Sequence, residues 1–116
     1  MKTRFLYKGD TKNERSTAYI EKKLERLAKL VDGSALFEVE VSEAPDKNFR
    51  VEVMVSEHGE LFRAEETTQS IEASIDAVTD ELEGQITKLR NKKRDLGLRS
   101  ERSLKKKLVV DTDARF

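Results

Sequence analysis

The chain has 116 residues, of which 36% are hydrophobic and 40% charged, with equal numbers of basic and acidic residues. This length fits one compact domain with a small core and a strongly ionic surface. The absence of cysteine excludes disulfides and thiolate metal sites, and a single histidine excludes sites built on a histidine pair. No apolar run reaches the roughly 18 residues of a membrane helix and no secretory leader is recognisable, so we expect a cytoplasmic protein.

The charges are strongly segregated along the sequence. Residues 1–31 carry a net charge of +5, residues 32–85 a net charge of −12, and residues 86–108 a net charge of +8. Basic segments of this strength suggest a polyanionic partner. The alternative is that the positive and negative segments neutralise each other within the fold.

The first part of the chain predicts a strand followed by an amphipathic helix. Residues 4–8 form a β-prone run that ends at the turn signal Gly9-Asp10. Apolar residues at positions 20, 24, 27 and 31 then recur at helical spacing. Thr11, Asn13 and Ser16 are candidate N-caps for this helix, and Gly33 is the candidate at its C-terminal end.

Three strands are predicted next, because the apolar period changes from 3.6 to two. Residues 37–42 alternate between apolar and polar, residues 43–48 contain the only proline and predict a hairpin turn, and residues 49–56 alternate again. His58-Gly59 predicts a tight turn into a further strand that begins at Leu61. Glutamates occupy most of the outward positions, so we expect an acidic open face of the sheet.

A second, longer helix is predicted from about residue 70. Its apolar stripe runs from Ile71 to Leu89 and implies some 24 residues of helix, acidic in its first half and basic in its second. Residues 99–107 predict a charged, mobile tail, and residues 108–116 regain a strand-like apolar character. Gly84 lies within the predicted helix and either permits the close approach of a partner or is a tolerated weak point.

The element order β-α-β-β-β-α predicts an α+β fold. A four-stranded sheet with both helices packed on one face would bury the two helical stripes against the valine-rich strands, an arrangement like that of double-stranded-RNA-binding domains. We assign residues 1–95 to this domain and residues 96–116 to a basic linker or tail.

The sequence offers no chemistry for catalysis. It lacks a nucleophile elbow and a Walker loop, and its glycines are isolated from one another. We therefore predict no enzymatic activity, no catalytic residues, no metal site, no cofactor and no small-molecule substrate, and we expect no membrane partner.

Basic residues of the two helices and the first strand are the candidate functional residues. On the two helices they would form one positively charged surface if the helices pack side by side. Such a surface suits contacts with phosphates. Few aromatic residues lie among them, which favours structured RNA over single strands. The candidate RNA-binding residues are Lys8, Lys22, Lys23, Arg26, Lys29, Lys88, Arg90, Lys92 and Lys93.

The element order and four segments together resemble the ribosome hibernation-promoting, or sigma-54 modulation, family. The segments are residues 18–27 (AYIEKKLERL), 63–66 (RAEE), 73–78 (ASIDAV) and 82–89 (LEGQITKL). The resemblance implies a stress or stationary-phase factor that binds the small ribosomal subunit, through ribosomal RNA and ribosomal proteins, and blocks messenger and transfer RNA in the decoding channel.

Position by position, the family's RNA contacts match Lys8, Lys23, Arg26, Lys29, Lys88 and Lys92. The family often has basic residues at the positions of Glu81 and Gly84, and it usually reads Asp-Met-Tyr where this chain has Ser70-Ile71-Glu72. Long members add a dimerising C-terminal domain, so residues 97–116 suggest either a short member or the front of a long one, with dimerisation only if that domain exists. The alternatives are a protein–protein adaptor that uses the acidic sheet face and a generic structured-RNA-binding module.

Overall fold

A computed structural model describes the backbone of residues 2–107 and the side chains of residues 2–93. It confirms the predicted α+β fold and the element order β-α-β-β-β-α. The elements are β1 (Lys2–Tyr7), α1 (Glu14–Ala28), β2 (Leu36–Ala44), a short 3-10 turn (Pro45–Lys47), β3 (Asn48–Glu57), β4 (Glu60–Thr68) and α2 (Ile71–Lys107).

The four strands form one mixed sheet in the order β1-β2-β3-β4. β1 runs parallel to β2, with Phe5 opposite Val39, and the connection between these two strands contains α1. β3 pairs antiparallel with β2 on one side and with β4 on the other, so the three strands form two successive hairpins. This register places alternate residues of every strand on the same face, so one face is apolar and the other polar.

The core lies between the apolar face of the sheet and the two helices. α1 contributes a stripe of buried apolar side chains at the predicted helical spacing, and the first four turns of α2 contribute a second such stripe. Both stripes meet the valines of β2 and β3, as the sequence predicts. The buried apolar side chains are Ile20, Leu24, Leu27, Ala35, Phe37, Val39, Val41, Val51, Val53, Val55, Phe62, Ala64, Ile71, Ile75, Val78, Leu82 and Ile86.

Local hydrogen bonds select among the candidate caps of α1. The Asn13 side chain accepts hydrogen bonds from the backbone N–H groups of Arg15 and Ser16, at 2.8 and 3.2 Å, and is therefore the N-cap. Thr11 is instead buried and donates to the carbonyl of Lys8. The helix ends at Ala28 with Lys29 as its C-cap, so the expectation that Gly33 caps it was wrong.

The second helix is longer than the sequence analysis predicted. α2 extends over 37 residues to Lys107, and residues 99–107 continue it instead of forming a tail. The apolar stripe alone predicts that the helix ends near Leu89. Arginine, lysine, leucine and glutamate all have high helix propensity, however, and this outweighs the cost of Gly97, about 1 kcal/mol.

The chain divides into two compact units between Ile86 and Thr87. The first contains the sheet, α1 and the start of α2, and the second continues α2. The assignment of residues 1–95 and 96–116 to separate functional parts stays a prediction, and the strand-like segment 108–116 lies outside the described residues. Within the described part of the chain, neither helix is long and apolar enough to cross a membrane.

Candidate nucleic-acid interface

α1 separates its apolar and basic residues onto different faces. Ile20, Leu24 and Leu27 are fully or almost fully buried against the sheet, while Lys22, Arg26 and Lys29 are exposed. Because the apolar positions repeat every three or four residues, the cations between them must point away from the core. The outer face of α1 thus carries the predicted cations, with the exposed Glu21 and Glu25 among them.

Two of the predicted cations are nevertheless engaged with α2. The Lys23 ammonium lies 3.0 Å from Oδ1 of Asp76 and 5.6 Å from the centre of the Tyr19 ring. The Tyr19 hydroxyl donates a hydrogen bond of 2.7 Å to the same Asp76 oxygen. The three side chains form one cluster that joins the two helices and leaves the Lys23 side chain only 27% exposed.

The charges of this cluster reinforce one another. The hydrogen bond to Asp76 raises the pKa of the Lys23 ammonium. Partial burial alone would raise the pKa of Asp76, but the hydrogen bonds from Tyr19 and Lys23 outweigh it and lower that pKa. The hydrogen bond to the Asp76 carboxylate also raises the pKa of the Tyr19 hydroxyl. At neutral pH the cluster therefore contains a cation, an anion and a neutral phenol.

Arg26 makes a second link of the same kind. Its guanidinium lies 2.8 Å from Oε1 of Glu83 on α2, in an exposed pair. One turn earlier than Tyr19, the Ser16 hydroxyl donates a hydrogen bond of 2.9 Å to Glu72. The acidic first half of α2 therefore faces Lys23 and Arg26 of α1. These two cations are neutralised within the fold by carboxylates of α2.

Lys22 and Lys29 form the available part of the basic surface on α1. Both are exposed, and neither makes an ion pair with any side chain that the structure describes. They lie seven residues apart, about two helical turns, and so share one face. Arg15 lies a further seven residues toward the N-terminus and is also exposed. Sequence reasoning missed Arg15, although its heptad spacing from Lys22 and Lys29 was a usable signal.

Lys8 lies just beyond the end of β1. Its backbone N–H donates a hydrogen bond of 2.8 Å to the carbonyl of Val41, which extends the parallel pairing by one residue. Its side chain is 59% exposed and lies 3.5 Å from Glu40, an exposed pair of little energetic value. The Lys8 ammonium can therefore exchange Glu40 for another anion at small cost.

The remaining predicted cations belong to the second unit. Lys88, Arg90, Lys92 and Lys93 all lie on the continuation of α2 and are exposed. Lys88 and Lys92 are four residues apart and share a helical face. Their role in RNA binding stays a prediction, as it does for the cations of α1 and β1.

The open face of the sheet differs from the acidic surface that the sequence predicts. Its four glutamates, at positions 38, 40, 52 and 65, all pair with cations of neighbouring strands. Arg50 contacts Glu40, Glu52 and Glu65, and Arg63 contacts Glu52 and Glu65. Sequence alternation put the glutamates on this face correctly. It did not reveal that Arg4, Arg50 and Arg63 pair with these glutamates across neighbouring strands.

Comparison with known proteins agrees with this architecture. The model of the family described as sigma 54 modulation protein / S30EA ribosomal protein matches residues 8–94. The chain is similar to the crystal structure of the N-terminal domain of Protein Y from Thermus thermophilus, with 33% identity and a TM-score of 0.68 over 77% of this chain and 99% of that one.

A ribosomal subunit interface protein from Coxiella burnetii is also similar, with 17% identity and a TM-score of 0.67 over 78% of this chain and 99% of that one; this second likeness shows the fold alone. The family match and the Protein Y likeness confirm the resemblance found in the sequence. They also agree with the expectation that the chain is not an enzyme. The chain belongs to the sigma 54 modulation protein / S30EA ribosomal protein family, and it is a ribosome-associated factor of the hibernation type that regulates translation without catalysis.

Proposed function

We propose that this protein binds the small ribosomal subunit at the decoding channel and inhibits translation by occupying the path of messenger and transfer RNA. The observation that carries the proposal is that Lys22 and Lys29 are exposed on one side of α1 and that neither has an ion-pair partner among the described residues. In a family of ribosome-associated factors, the phosphates of ribosomal RNA are the natural partners for such a face. The site of action is then the cytoplasm, where ribosomes translate.

The mechanism is occlusion and needs neither a cofactor nor a chemical step. Lysine ammonium groups on rigid helices contact phosphates as point charges, and the bulk of the domain excludes the competing RNA. Lys22, Lys29, Lys88 and Lys92 are the first candidates for these contacts. Lys8, Lys23, Arg26, Arg90 and Lys93 complete the proposed set.

In this proposal Lys23 and Arg26 would contact both α2 and the RNA. Each holds α1 against α2 through a carboxylate of the second helix, at 3.0 and 2.8 Å. A phosphate could share either cation, since the Arg26 side chain is 52% exposed and its guanidinium has five donors. Replacing either cation would remove its contact with α2 together with any phosphate contact, so an effect on binding could not be assigned to one of the two.

The direct experiment is co-sedimentation of the protein with vacant ribosomes and with separated subunits over a range of salt concentrations. If about five phosphates are neutralised, the logarithm of the affinity should fall with the logarithm of salt concentration at a slope of about −3 to −5. Pelleting with the small subunit that transfer RNA displaces would support occlusion of the decoding channel. Failure to pellet at any salt concentration would refute the proposal.

Charge reversal locates the surface. Lys29→Glu should weaken ribosome binding and reduce the magnitude of the salt slope by about 1, and the double change Lys88→Glu with Lys92→Glu should weaken binding and reduce it by about 2. The matched control is Lys47→Glu, which changes the charge equally at an exposed position in the turn between β2 and β3. If Lys47→Glu weakens binding as much as Lys29→Glu, net charge rather than the basic face determines the affinity.

A role as an adaptor for a basic protein receives less support from the structure. The glutamates of the open sheet face are already paired with Arg4, Arg50 and Arg63. A basic partner would have to displace these arginines, and it would gain little from exchanging one exposed pair for another.

A further inference from the structure

The turn between β3 and β4 places the single histidine in an unusual backbone conformation. His58 and Gly59 both have positive φ, +48° and +80°, which is the pattern of a two-residue type I′ hairpin turn. Asparagine, aspartate or glycine normally occupies the first of these positions. Histidine tolerates this left-handed conformation, as asparagine and aspartate do, but the turn does not require an imidazole at residue 58.

The connection between α1 and β2 brings two carboxylates to this imidazole. Asp32 lies in that connection, and its backbone N–H donates a hydrogen bond of 2.6 Å to Oε2 of Glu57. Its carboxylate accepts a hydrogen bond of 2.8 Å from the backbone N–H of Ser34 through Oδ1, and its other oxygen contacts Nε2 of His58. Glu57 is the last residue of β3 and is only 4% exposed, which is rare for a glutamate.

These three side chains converge closely enough to hold a metal ion. One donor atom from each of Asp32, Glu57 and His58 lies within 4.8 Å of the other two. Zinc bonds of about 2.1 Å in tetrahedral geometry require donors about 3.4 Å apart. The Asp32 and His58 side chains are 49% and 65% exposed, so both can make the small adjustment that ligation needs and solvent ions can reach the site.

We propose that Asp32, Glu57 and His58 form a zinc-binding site, with water completing the coordination. The donor set decides the type of cation, because an imidazole nitrogen favours first-row transition metals over magnesium and calcium, which prefer oxygen ligands alone. Among the common divalent ions, zinc binds such mixed nitrogen and oxygen sites more tightly than manganese does. The sequence predicts no metal site, because Asp32 and His58 are 26 residues apart and their spacing gives no sign that they meet.

Two further features prepare the site. The Ser34 hydroxyl and backbone N–H both donate hydrogen bonds to Oδ1 of Asp32, which hold this carboxylate in place beside His58. The hydrogen bond from the backbone N–H of Asp32 orients the buried Glu57 carboxylate, as groups behind metal ligands commonly do. Bound zinc would tie the α1–β2 connection to the β3–β4 turn.

The test is calorimetric titration of the whole chain with zinc chloride, together with amide spectra recorded by nuclear magnetic resonance. We expect one zinc ion per chain and chemical-shift changes centred on residues 32, 57 and 58. His58→Asn suits the turn conformation and should weaken zinc binding at least about tenfold, as should Asp32→Asn. Glu25→Gln removes an exposed carboxylate on α1 and should bind zinc as the unchanged protein does.

Two results would overturn the proposal. One is the absence of saturable binding at millimolar zinc. The other is zinc binding that His58→Asn leaves as tight as before, because the ion would then be held elsewhere. Neither result depends on ribosomes, so the zinc site and the proposed ribosomal function succeed or fail separately.

Discussion

Gly84 offers a sharp test of α2, because the structure predicts that its replacement stabilises the protein. The residue is exposed in the helix interior, and a Cβ built on it meets no other atom within 4 Å. Alanine there loses no contact and causes no clash, while it removes most of the helix penalty of glycine. Gly84→Ala should therefore raise the free energy of unfolding by about 0.5–1 kcal/mol and the melting temperature by about 3–6 °C.

Thermal unfolding followed by circular dichroism measures this effect. Gly59→Ala is the control, because Gly59 also has open space around it but has φ of +80°. Alanine is strained in that conformation by about 1–2 kcal/mol, so this variant should melt at a lower temperature. A lower melting temperature for Gly84→Ala would show that residue 84 is not in a free helical position and would refute the reasoning.

The remaining predictions concern packing and titration. Leu82→Ala should cost about 2–5 kcal/mol in urea unfolding, since Leu82 is fully buried under the sheet, and a cost below 1 kcal/mol would contradict the described core. A hydrogen bond with Glu66 raises the pKa of Glu81, so the folded state loses stability as pH rises above the ordinary value of 4.5. Glu81→Gln should thus stabilise the protein at pH 7, with the gain vanishing below pH 4.5; an equal gain at both pH values would refute the pairing. Hydrogen bonds from Ser34 lower the pKa of Asp32 to about 2, so the stability it contributes is present above its ordinary value of 3.8 and is lost as pH falls toward 2. Carboxyl carbon shifts should show that titration near pH 2, and a midpoint near 4 would show that the Ser34 contacts do not form in solution.

The core and the strand order follow from local patterns in the sequence. The apolar residues that define α1 and the valines of β2 and β3 are the residues that the structure buries. The spacing of apolar residues was enough to predict these elements because each of them has one buried face. It failed at the end of α2, where no burial marks the helix and propensity alone sustains it to Lys107.

Contacts between distant residues were beyond the reach of these patterns. Arg63 follows an apolar residue on β4 and gives no sign that it neutralises Glu52 on the neighbouring strand. Likewise, Asp32 and His58 are 26 residues apart and meet only because a loop and a hairpin turn close at the same end of the sheet. Such pairs depend on register and loop geometry, which local sequence patterns do not reveal.

The pairing of α1 with α2 also changes how the charge segregation should be understood. The −12 segment is not one acidic surface: its Asp76 and Glu83 pair with Lys23 and Arg26 of α1, and four of its eight strand glutamates pair with arginines of the sheet. Removing an acidic partner should therefore release a cation as well as loosen the helices. Glu83→Gln frees Arg26 at an exposed pair worth at most about 1 kcal/mol. If phosphates share Arg26, this variant should bind ribosomes more tightly at low salt with little loss of stability. Weaker binding would mean that Glu83 positions Arg26 for RNA instead of competing for it.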